Sequence, residues 1–374
     1  MQLSNKFLIF SGYAFKEFNT DKRGVPVIKI GNITANGMLD VEDIQYSTQK
    51  PNNKFYAQKG DFFIALSGAT TGKSTIYSLE DNRYLVNQRV GIIRPINKDD
   101  KTKYFSKYYL QYISKIVLQK AHGTAQPNIS PKDLAKFPFP NIEDNEQIKI
   151  GNLLYNLEQA IKVKQEQLKA LDELIQSRFT EMFENNSYEV KPIREIVANN
   201  IQTTKKVFKK EDTIQYIDIS SIDNLQHNIT GTTPYIVADA PSRAQQYIQY
   251  NDILVSTVRP NLQNIAINKY QDTNLIASSG FCVLRPEKCA PEYLLYNVLS
   301  NEFTTKMISL TTGASYPAVR DNDVLNYTIP VPPLPLQNQF AEFVQQVEKA
   351  KEIVKIQIKD LQELLALKMD EYFK

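Results

Sequence analysis

Few residues of this chain have side chains suited to catalysis. Its only histidines are His122 and His227, which supply neither a serine–histidine–aspartate triad nor a histidine-rich metal site. His122 lies in the segment AHGTAQPN and His227 precedes an asparagine, so both are expected to serve as loop or turn residues. Cys282 and Cys289 lack CxxC spacing and are expected to pack as small hydrophobic residues. The residue types therefore predict no catalytic site and no metal site.

The segment SGATTGKS, residues 67–74, is the nearest approach to a phosphate-binding loop. Such a loop has four residues between its first glycine and its Gly-Lys pair, whereas only three separate Gly68 from Gly72. We therefore expect a glycine-rich turn that either brings Lys73 to a phosphate backbone or simply closes a hairpin. The chain also lacks an Asn-Pro-Pro-Tyr methyltransferase motif and a glycine-rich cofactor motif after a strand. This predicts a chain that recognises something and leaves the chemistry to partners.

Composition is that of an ordinary soluble globular protein. The 374 residues are 42% hydrophobic and include 18 Phe and 21 Tyr, enough for two or three domains with their own cores. No segment approaches the ~20 consecutive apolar residues that a membrane helix needs. The N-terminus lacks the basic region of a secretory signal, and the few cysteines agree with a cytoplasmic chain. A net charge of +3 permits a nucleic-acid partner without requiring one.

The strongest pattern in the chain is an internal duplication. Residues 123–183 align with residues 313–373 without a gap, at a constant offset of 190. Glycines and prolines coincide along with the apolar positions, which two unrelated helices of similar period would not readily produce. Coincident pairs include Gly123/Gly313, Pro127/Pro317, Asp133/Asp323, Pro140/Pro330, Gln147/Gln337 and Phe183/Phe373. Two copies of one unit are expected to present two similar surfaces to a partner that is itself nearly two-fold symmetric.

Each copy begins with a strand-rich part and ends in a long helix. Predicted strands lie at residues 25–33, 61–68 and 90–95 in the first copy, and at residues 214–222, 252–260 and 281–286 in the second. A helix follows in each copy, at residues 104–119 and 291–310, before a loop rich in glycine and proline.

The closing helices carry heptad stripes. The stripe of the first helix consists of Leu157, Ile161, Lys164, Leu168, Leu171, Ile175, Arg178 and Met182. The stripe of the second consists of Val347, Lys351, Val354, Ile358, Leu361, Leu365, Lys368 and Tyr372. Stripes of this length favour helix–helix pairing over packing on one small domain, and the intervening domain favours an antiparallel pair. Apolar residues outside the stripe, including Leu153, Leu154 and Phe179, are expected to be covered by partner helices.

These patterns predict an α+β fold with two tandem mixed α/β domains, separated by two long antiparallel helices that form a coiled coil. The expected shape is a dumbbell with pseudo-two-fold symmetry. The predicted segments are residues 1–144 and 188–335 for the two domains, and residues 145–187 and 336–374 for the two helices.

Several phrases resemble the specificity subunit of type I restriction–modification enzymes. They are SGYAFKEF (11–18), VIKIGNI (27–33), GDFFIALSGATTGK (60–73), NQRVGIIRP (87–95), GTAQPNIS (123–130) and PLPLQNQF (333–340). Their order recurs in both halves and covers nearly the whole chain. The match departs most at residues 35–55 and 199–212, where family members differ because each reads another DNA sequence.

The resemblance implies two target recognition domains, each contacting one half of a split, asymmetric site in double-stranded DNA. The paired helices would fix the gap between the halves and dock two methyltransferase subunits, which use S-adenosylmethionine to methylate adenine at N6. Endonuclease subunits that translocate DNA with ATP and magnesium would join that core. This chain would hold none of these cofactors, would be non-catalytic, and would have no membrane partner.

DNA readout needs phosphate contacts that position the protein and base-edge contacts that specify the sequence. The phosphate candidates are Lys73, Arg89, Lys205, Lys206, Lys209 and Arg259. The base-reading candidates are Asn87, Gln88, Gln126 and Asn128 in the first copy, and Arg259, Asn261, Asn264 and Arg320 in the second, with Tyr316 as a further DNA contact or a cover for the helix entrance. For each residue the alternative is a solvated loop side chain, as it is for the basic run 205–210.

Two other functions stay open at this stage. A scaffold whose helices recruit partners without DNA would show no salt-dependent binding to a duplex. A fused restriction–methylation enzyme would bind S-adenosylmethionine, which the missing motifs argue against.

Overall fold

The computed structural model of the protein describes residues 1–97, 101–121, 128–183, 187–198, 200–313 and 317–374. By its internal contacts the chain divides into two compact units. Unit 1 comprises Met1–Gln165 and Ile356–Lys374, and unit 2 comprises Glu166–Lys355. Each long helix therefore contributes one part to each unit. The borders predicted at residues 144, 187 and 335 stay predictions, because the units follow packing and not the sequence repeat.

Helices in the described ranges are α1 (Lys103–Ala121), α2 (Pro131–Ala135), α3 (Asp144–Phe183), α4 (Thr204–Val207), α5 (Pro291–Val298), α6 (Asn301–Ser309), α7 (Asp321–Leu325) and α8 (Leu334–Phe373). The strands up to the start of unit 2 are β1 (Phe7–Ser11), β2 (Val25–Ile28), β3 (Gln45–Ser47), β4 (Phe62–Ala65), β5 (Ser74–Ile76), β6 (Leu85–Val86) and β7 (Val90–Pro95). The strands of unit 2 are β8 (Val190–Pro192), β9 (Thr213–Ile217), β10 (Ile222–Asp223), β11 (Asn228–Ile229), β12 (Thr233–Ile236), β13 (Ala244–Tyr247), β14 (Ile253–Ser256), β15 (Ile265–Ile267), β16 (Leu275–Ser278), β17 (Phe281–Leu284) and β18 (Thr328–Pro330).

In the described residues of unit 1, the predicted strands appear as β2, β4 and β7, which lie in two sheets. The larger has the order β1-β7-β4-β5 with antiparallel neighbours, and Phe63 of β4 lies opposite Ile92 of β7. The smaller has the order β3-β2-β6, in which β2 and β6 run parallel. Every residue of β4 is buried because the strand has apolar side chains on both faces. One core cluster joins Phe105 of α1, Leu154 of α3 and Phe373 of α8.

Unit 2 repeats this topology. Its two larger sheets have the orders β15-β14-β17 and β12-β9-β16-β13, with β9 and β16 parallel, and it also has the two-stranded sheets β10-β11 and β18-β8. The counterparts of β7-β4-β5 and β3-β2-β6 therefore pair in the same order and the same direction. The main core gathers Phe179 and Phe183 of α3, Tyr293 of α5 and Phe340 of α8. In both units aromatic side chains fill the space between the long helices and the shorter ones.

The duplication extends to individual polar contacts. In unit 1 the Arg94 guanidinium donates to both carboxylate oxygens of Asp61, at 2.8 and 2.7 Å. In unit 2 Arg285 does the same to Asp252, at 2.9 and 2.7 Å. Each aspartate directly precedes the first strand of its hairpin, β4 or β14. Each arginine lies in β7 or directly after β17, so the pairs tie these neighbouring strands together. The duplication read from the sequence is confirmed at the level of side-chain pairing.

Both long helices have 40 residues and share one register. In unit 1 the start of α3 and the end of α8 enter the same core, and in unit 2 the end of α3 and the start of α8 do so. The helices therefore pair antiparallel within each unit, as predicted. The heptad stripe is the covered face: Ile161, Ile175 and Val354 are buried, and the remaining members are at least half-buried.

The prediction that partner helices cover the apolar residues outside the stripe is wrong for two of the three named. Leu154 is 0% exposed and Phe179 is 6% exposed, because each enters the core of its own unit. Leu153 is 39% exposed, and its covering by a partner helix stays a prediction. The i, i+3 and i, i+4 neighbours of a heptad stripe widen it into a broader apolar face, which here packs on the strand-rich part.

Several predicted elements differ in extent. The strands predicted at 61–68, 214–222, 252–260 and 281–286 end earlier, at Ala65, Ile217, Ser256 and Leu284. The helix predicted at residues 291–310 is two helices, α5 and α6, because the Ser300 hydroxyl accepts from the Phe303 amide at 3.1 Å and caps a new start. The strand predicted at 25–33 ends at Ile28 and continues as a 3-10 turn, Ile30–Asn32. Within the described ranges, no helix combines the length and apolar character needed to cross a membrane.

Candidate nucleic-acid interface

Three backbone segments meet beside the end of β4 in unit 1. The Leu66 amide donates to the Arg89 carbonyl at 2.9 Å, and the Leu66 carbonyl accepts from the Ile129 amide at 2.9 Å. Ser67 and Asn128 form an isolated bridge next to them. We call these segments, residues 66–73, 87–89 and 128–130, the loop cluster of unit 1. They belong to the β4–β5 loop, the β6–β7 turn and the chain ahead of α2.

Unit 2 has the same arrangement. The Thr257 amide donates to the Gly280 carbonyl at 2.9 Å, the Thr257 carbonyl accepts from the Val319 amide at 2.9 Å, and Val258 bridges to Ala318. Residues 257–264, 278–280 and 317–320 are the loop cluster of unit 2. Because backbone atoms make these bonds, the frame recurs although the side chains that it carries differ between the copies.

In unit 1 the β4–β5 loop is a tight hairpin loop. Gly68 and Gly72 have φ of +85° and +89°, which explains glycine at both positions. A Cβ on Gly72 would lie 2.6 Å from the Leu118 amide nitrogen, so the loop packs closely on α1. The Ser114 hydroxyl on α1 donates to the Gly72 carbonyl at 2.5 Å. The hairpin expected from SGATTGKS is confirmed, while an approach of Lys73 to phosphate stays a prediction.

The equivalent loop of unit 2 is held in three directions. The Arg259 amide donates to the Pro317 carbonyl at 2.8 Å. The Gln263 side-chain amide donates to the Thr304 hydroxyl at 2.7 Å, and the Asn224 side-chain amide donates to the Leu262 carbonyl at 2.8 Å. The loop is therefore a preformed surface whose shape does not depend on a ligand.

Six residues of the first copy were predicted to contact DNA. Four of them are described and lie in the loop cluster of unit 1, outside its hairpin loop. Gln88, Arg89 and Asn128 are exposed, whereas Asn87 is half-buried and its side-chain oxygen accepts from the Arg89 amide at 3.2 Å. Asn87 thus shapes the turn that presents Gln88 and Arg89. Lys73 ends the hairpin loop and is half-buried, and Gln126 lies outside the described residues.

In unit 2 the structure brings together Arg259, Asn261, Asn264 and Arg320. Arg259, Asn261 and Arg320 are exposed, while Asn264 is half-buried and its carbonyl accepts from the Ser256 amide at 3.0 Å. The Arg320 amide donates to the Asp323 carboxylate at 2.8 Å, which places its side chain at the start of α7. Tyr316 lies outside the described residues.

The predicted basic run stands beside this cluster. Lys205, Lys206 and Lys209 are exposed, the first two on α4. The Thr204 hydroxyl on the same helix donates to the carbonyl of Ala244, which pairs with Ser278 of the loop cluster. Two contacts therefore connect the basic helix to the cluster.

One exposed basic residue of this surface was missed by the sequence reasoning. The Arg243 carbonyl accepts from the Ser279 amide at 2.8 Å, so Arg243 adjoins the turn of residues 278–280. A single arginine in the segment APSRAQ carries no pattern of its own. Only the parallel pairing of β16 with β9, and the pairing of β13 beside it, brings Arg243 to this surface.

The remaining groups singled out for chemistry have structural roles. His227 has φ of +51° in the turn between β10 and β11, and its Nδ1 lies 3.2 Å from the Ile265 carbonyl, which confirms a turn role. Burial lowers its pKa below the usual imidazole value. Cys282 and Cys289 are buried in the core of unit 2; burial raises the pKa of both thiols, that of Cys289 to about 12, so both stay protonated. His122 lies outside the described residues, and the described ranges hold no group of three metal-ligating side chains.

A known protein family matches each of the two copies of the repeat separately. The family described as the type I restriction modification DNA specificity domain matches twice, at residues 5–173 and 184–363. The two matches together cover most of the chain and fall on the two copies of the repeat.

Individual relatives agree with the family match. The chain is 24% identical over 287 residues to the type I restriction enzyme MjaVIII specificity subunit of Methanocaldococcus jannaschii, covering 69% of this chain and 67% of the relative. A structure from work on complex assembly and conformational transition of the type I R-M system shares the fold over 100% of this chain and 97% of its own, with a TM-score of 0.60 at 16% identity. The match to the HsdS subunit from Thermoanaerobacter tengcongensis spans about half of each chain, 48% and 47%, with 31% identity and a TM-score of 0.40. Because the family match covers most of the chain, the chain belongs to the type I restriction-modification DNA specificity family and is a specificity subunit.

Proposed function

We propose that each unit reads one half of a bipartite, asymmetric DNA site through its loop cluster. The observation that carries this is the repetition of one backbone frame with different exposed side chains. The frame places Gln88, Arg89 and Asn128 on one unit, and Arg259, Asn261 and Arg320 on the other. Because the presented donors and acceptors differ, the two half-sites differ in sequence.

Phosphate contacts and base-edge contacts have separate roles, and the phosphate contacts named here belong to unit 2. Lys205, Lys206 and Lys209 approach the phosphate backbone and set orientation, since they are exposed and adjoin the cluster through α4. The amides and arginines of the clusters contact base edges, where paired donors and acceptors distinguish the four base pairs. Arg243 joins the phosphate contacts in unit 2.

The long helices set the spacing of the half-sites and dock two methyltransferase subunits. Each helix keeps apolar side chains exposed outside its covered stripe, with Val163 60% exposed on α3, and Ile353 and Leu367 58% and 63% exposed on α8. A partner subunit that buries these side chains would be stabilised by the apolar area removed from water. Endonuclease subunits join the methylating core.

The chain itself carries out no chemistry and binds no cofactor. S-adenosylmethionine belongs to the methyltransferase subunits, which methylate adenine at N6, and ATP with magnesium belongs to the translocating endonuclease. Among the described residues, both cysteines are buried and His227 supports a turn.

Methylation sequencing of cells that express this chain with its methyltransferase partner tests the proposal. A bipartite motif of N6-methyladenine is the expected result, and an unmethylated genome contradicts it. Binding of the purified complex to a duplex should fall steeply with salt; a scaffold that does not bind DNA would show no such fall. Four residues inserted into α3 should change the gap between the half-sites and leave their sequences alone.

A further inference from the structure

Unit 1 contains a pocket between the β4–β5 hairpin and the start of α1. Its volume is about 280 Å³, and all the residues that line it belong to unit 1. Apolar side chains form much of its wall, among them Phe7, Phe62, Ile76 and Leu110. This volume is close to the lower end of the ~300–1,000 Å³ typical of small-molecule sites. The pocket therefore has room for about one ring with a short chain.

A buried hydroxyl of this pocket has no partner. Ser106 of α1 lines the pocket and is 6% exposed. Its Oγ makes no hydrogen bond to any of the described residues. An unpaired buried hydroxyl is unfavourable, because it has lost its bonds to water without replacing them. The pocket thus offers a hydrogen bond that the described part of the chain does not use.

Unit 2 has leucine at the equivalent position. Phe105 contacts the phenylalanine that ends α8 edge-on, with ring centroids 5.3 Å apart. Tyr293 contacts the phenylalanine that ends α3 in the same way, at 4.7 Å. Because the two terminal phenylalanines are equivalent in the repeat, Phe105 corresponds to Tyr293, and Ser106 corresponds to Leu294. Leu294 is 0% exposed in the core of unit 2.

The serine opens a space that the leucine closes in the other copy. Unit 2 has a cleft at the corresponding place, and three residues that line it are counterparts of residues that line the pocket: Tyr250, Ile267 and Leu295. Leu294 is not among the described residues that line this cleft. A position that served packing alone would be filled equally well by leucine in both copies. Ser106 instead combines an empty volume with an unused hydroxyl.

The charges at the pocket favour an anion. Four cationic side chains line it, and three of these are in ion pairs: Arg94 with Asp61, Lys59 with Glu80, and Lys107 with Glu158. The fourth, Lys103, is exposed and contacts the Tyr104 ring, but it forms no ion pair with the described residues. Lys103 and Ser106 are three residues apart on α1 and so share one face of the helix. A carboxylate can therefore pair with the lysine and accept from the hydroxyl.

We propose that this pocket binds a small hydrophobic carboxylic acid. The apolar body of the ligand packs against Phe62, Ile76 and Leu110, where burial from water stabilises it. Its carboxylate accepts a hydrogen bond from the Ser106 hydroxyl and faces the Lys103 ammonium, and such charge-assisted bonds are stronger than neutral ones. The proposal does not depend on how the two units read DNA.

Titration of the full chain with 3-phenylpropionate, followed by ligand-observed NMR, tests the proposal. The acid should bind with a Kd of about 0.1–1 mM, the range for a ligand of this size in a preformed pocket. The neutral analogue 3-phenylpropan-1-ol keeps the ring and loses the charge. It should bind about fivefold more weakly or worse, because Lys103 then has no anion to pair with.

Variants of the two polar residues locate the site. Ser106→Leu introduces the residue of the other copy, so it should abolish binding and melt no lower than wild type. Ser106→Ala keeps the space and removes the hydroxyl, so it should weaken binding of the acid by about 3- to 10-fold even if the leucine variant fails to fold. Lys103→Gln should weaken the acid and leave the alcohol unchanged. Lys115→Gln is the matched control, because Lys115 is exposed on the same helix and does not line the pocket; it should bind the acid as wild type does.

Four results would overturn the proposal. No binding of the acid up to its solubility limit would mean a water-filled pocket only. A folded Ser106→Leu that binds as wild type does would place the acid elsewhere. Equal binding of the acid and the alcohol would remove the role of the carboxylate. Tighter binding of a short peptide that ends in phenylalanine would assign the pocket to the C-terminus of a protein partner.

Discussion

Replacing Arg285 by methionine should destabilise unit 2 strongly and in a pH-dependent way. The change removes two bonds to the Asp252 carboxylate, at 2.9 and 2.7 Å, and one to the Tyr247 carbonyl at 3.2 Å. The Asp252 side chain is 0% exposed, so water cannot replace the lost donors. Its remaining donor is the Gln249 amide at 2.7 Å.

The magnitude follows from these contacts. A hydrogen bond to a charged group contributes about 1.5–3 kcal/mol, and removing one partner of a buried ion pair costs about 3–5 kcal/mol. Arg285 is itself 19% exposed, which supports the lower part of that range, about 3–4 kcal/mol at pH 7. Asp252→Asn combined with Arg285→Met should recover most of this loss, because no charge is then buried without a partner.

The pH dependence has a definite sign. Burial already raises the pKa of Asp252, and the bonds from Arg285 and the Gln249 amide oppose the rise. Without Arg285 the pKa rises further. An acid whose pKa is higher in the folded state binds more protons when folded, so stability falls as pH increases above its unfolded value. The Arg285→Met variant should therefore be less destabilised at pH 5 than at pH 7.

Hydrogen exchange measured by mass spectrometry on the full chain resolves the effect by unit. Peptides of β14 and β17 should lose protection in Arg285→Met. Arg94→Met is the matched control, because it removes the equivalent bonds to Asp61 and should affect β4 and β7 instead. A loss below about 1 kcal/mol, or a double variant no more stable than Arg285→Met, would refute the reasoning.

Three other outcomes are expected. Gly151→Ala should destabilise unit 1 by about 1–3 kcal/mol in urea unfolding, because a Cβ there would lie 2.5 Å from a backbone nitrogen of α1. Unit 2 accommodates Ala341 at the equivalent position. Burial lowers the pKa of His227, so as pH falls the unfolded state binds the proton at a higher pH than the folded state does. Stability should therefore fall from pH 7 to pH 5, and His227→Gln should reduce that fall. Replacing Lys205 and Lys206 by alanine should lower the salt slope of DNA binding by about one per lysine without changing the sequence preference.

Much of the fold could be predicted because its signals are local. The β7 strand was predicted with its observed bounds, since valine, isoleucine and proline mark both its interior and its end. The antiparallel helices followed from the heptad stripe and from the domain between them. The break between α5 and α6 was missed because a serine inside an amphipathic pattern is compatible with a continuous helix. Ser300 acts as a cap only because its own backbone is extended, which the sequence does not show.

The interface was harder to predict because its parts are distant along the chain. Leu66, Arg89 and Ile129 come together only through backbone bonds whose partners are set by strand pairing. Residue type could suggest Arg89 and Arg259, but it could not show that Arg243 adjoins the loop cluster of unit 2. Nor could it show that Arg259 and Gln263 have left-handed backbones, since neither residue type signals that conformation.

The loop clusters have a consequence for engineering. In both units the bonds that hold the hairpin loop in place run mainly between backbone atoms, and the two loops have equal length between equivalent strands. Most of these bonds do not depend on which side chains the loop carries, so the exposed positions of the loop can be exchanged between the units. Gly72 must stay glycine, because a Cβ there would lie 2.6 Å from the Leu118 amide nitrogen. Exchange at the exposed positions would alter the base preference of one unit and leave the half-site of the other unit unchanged.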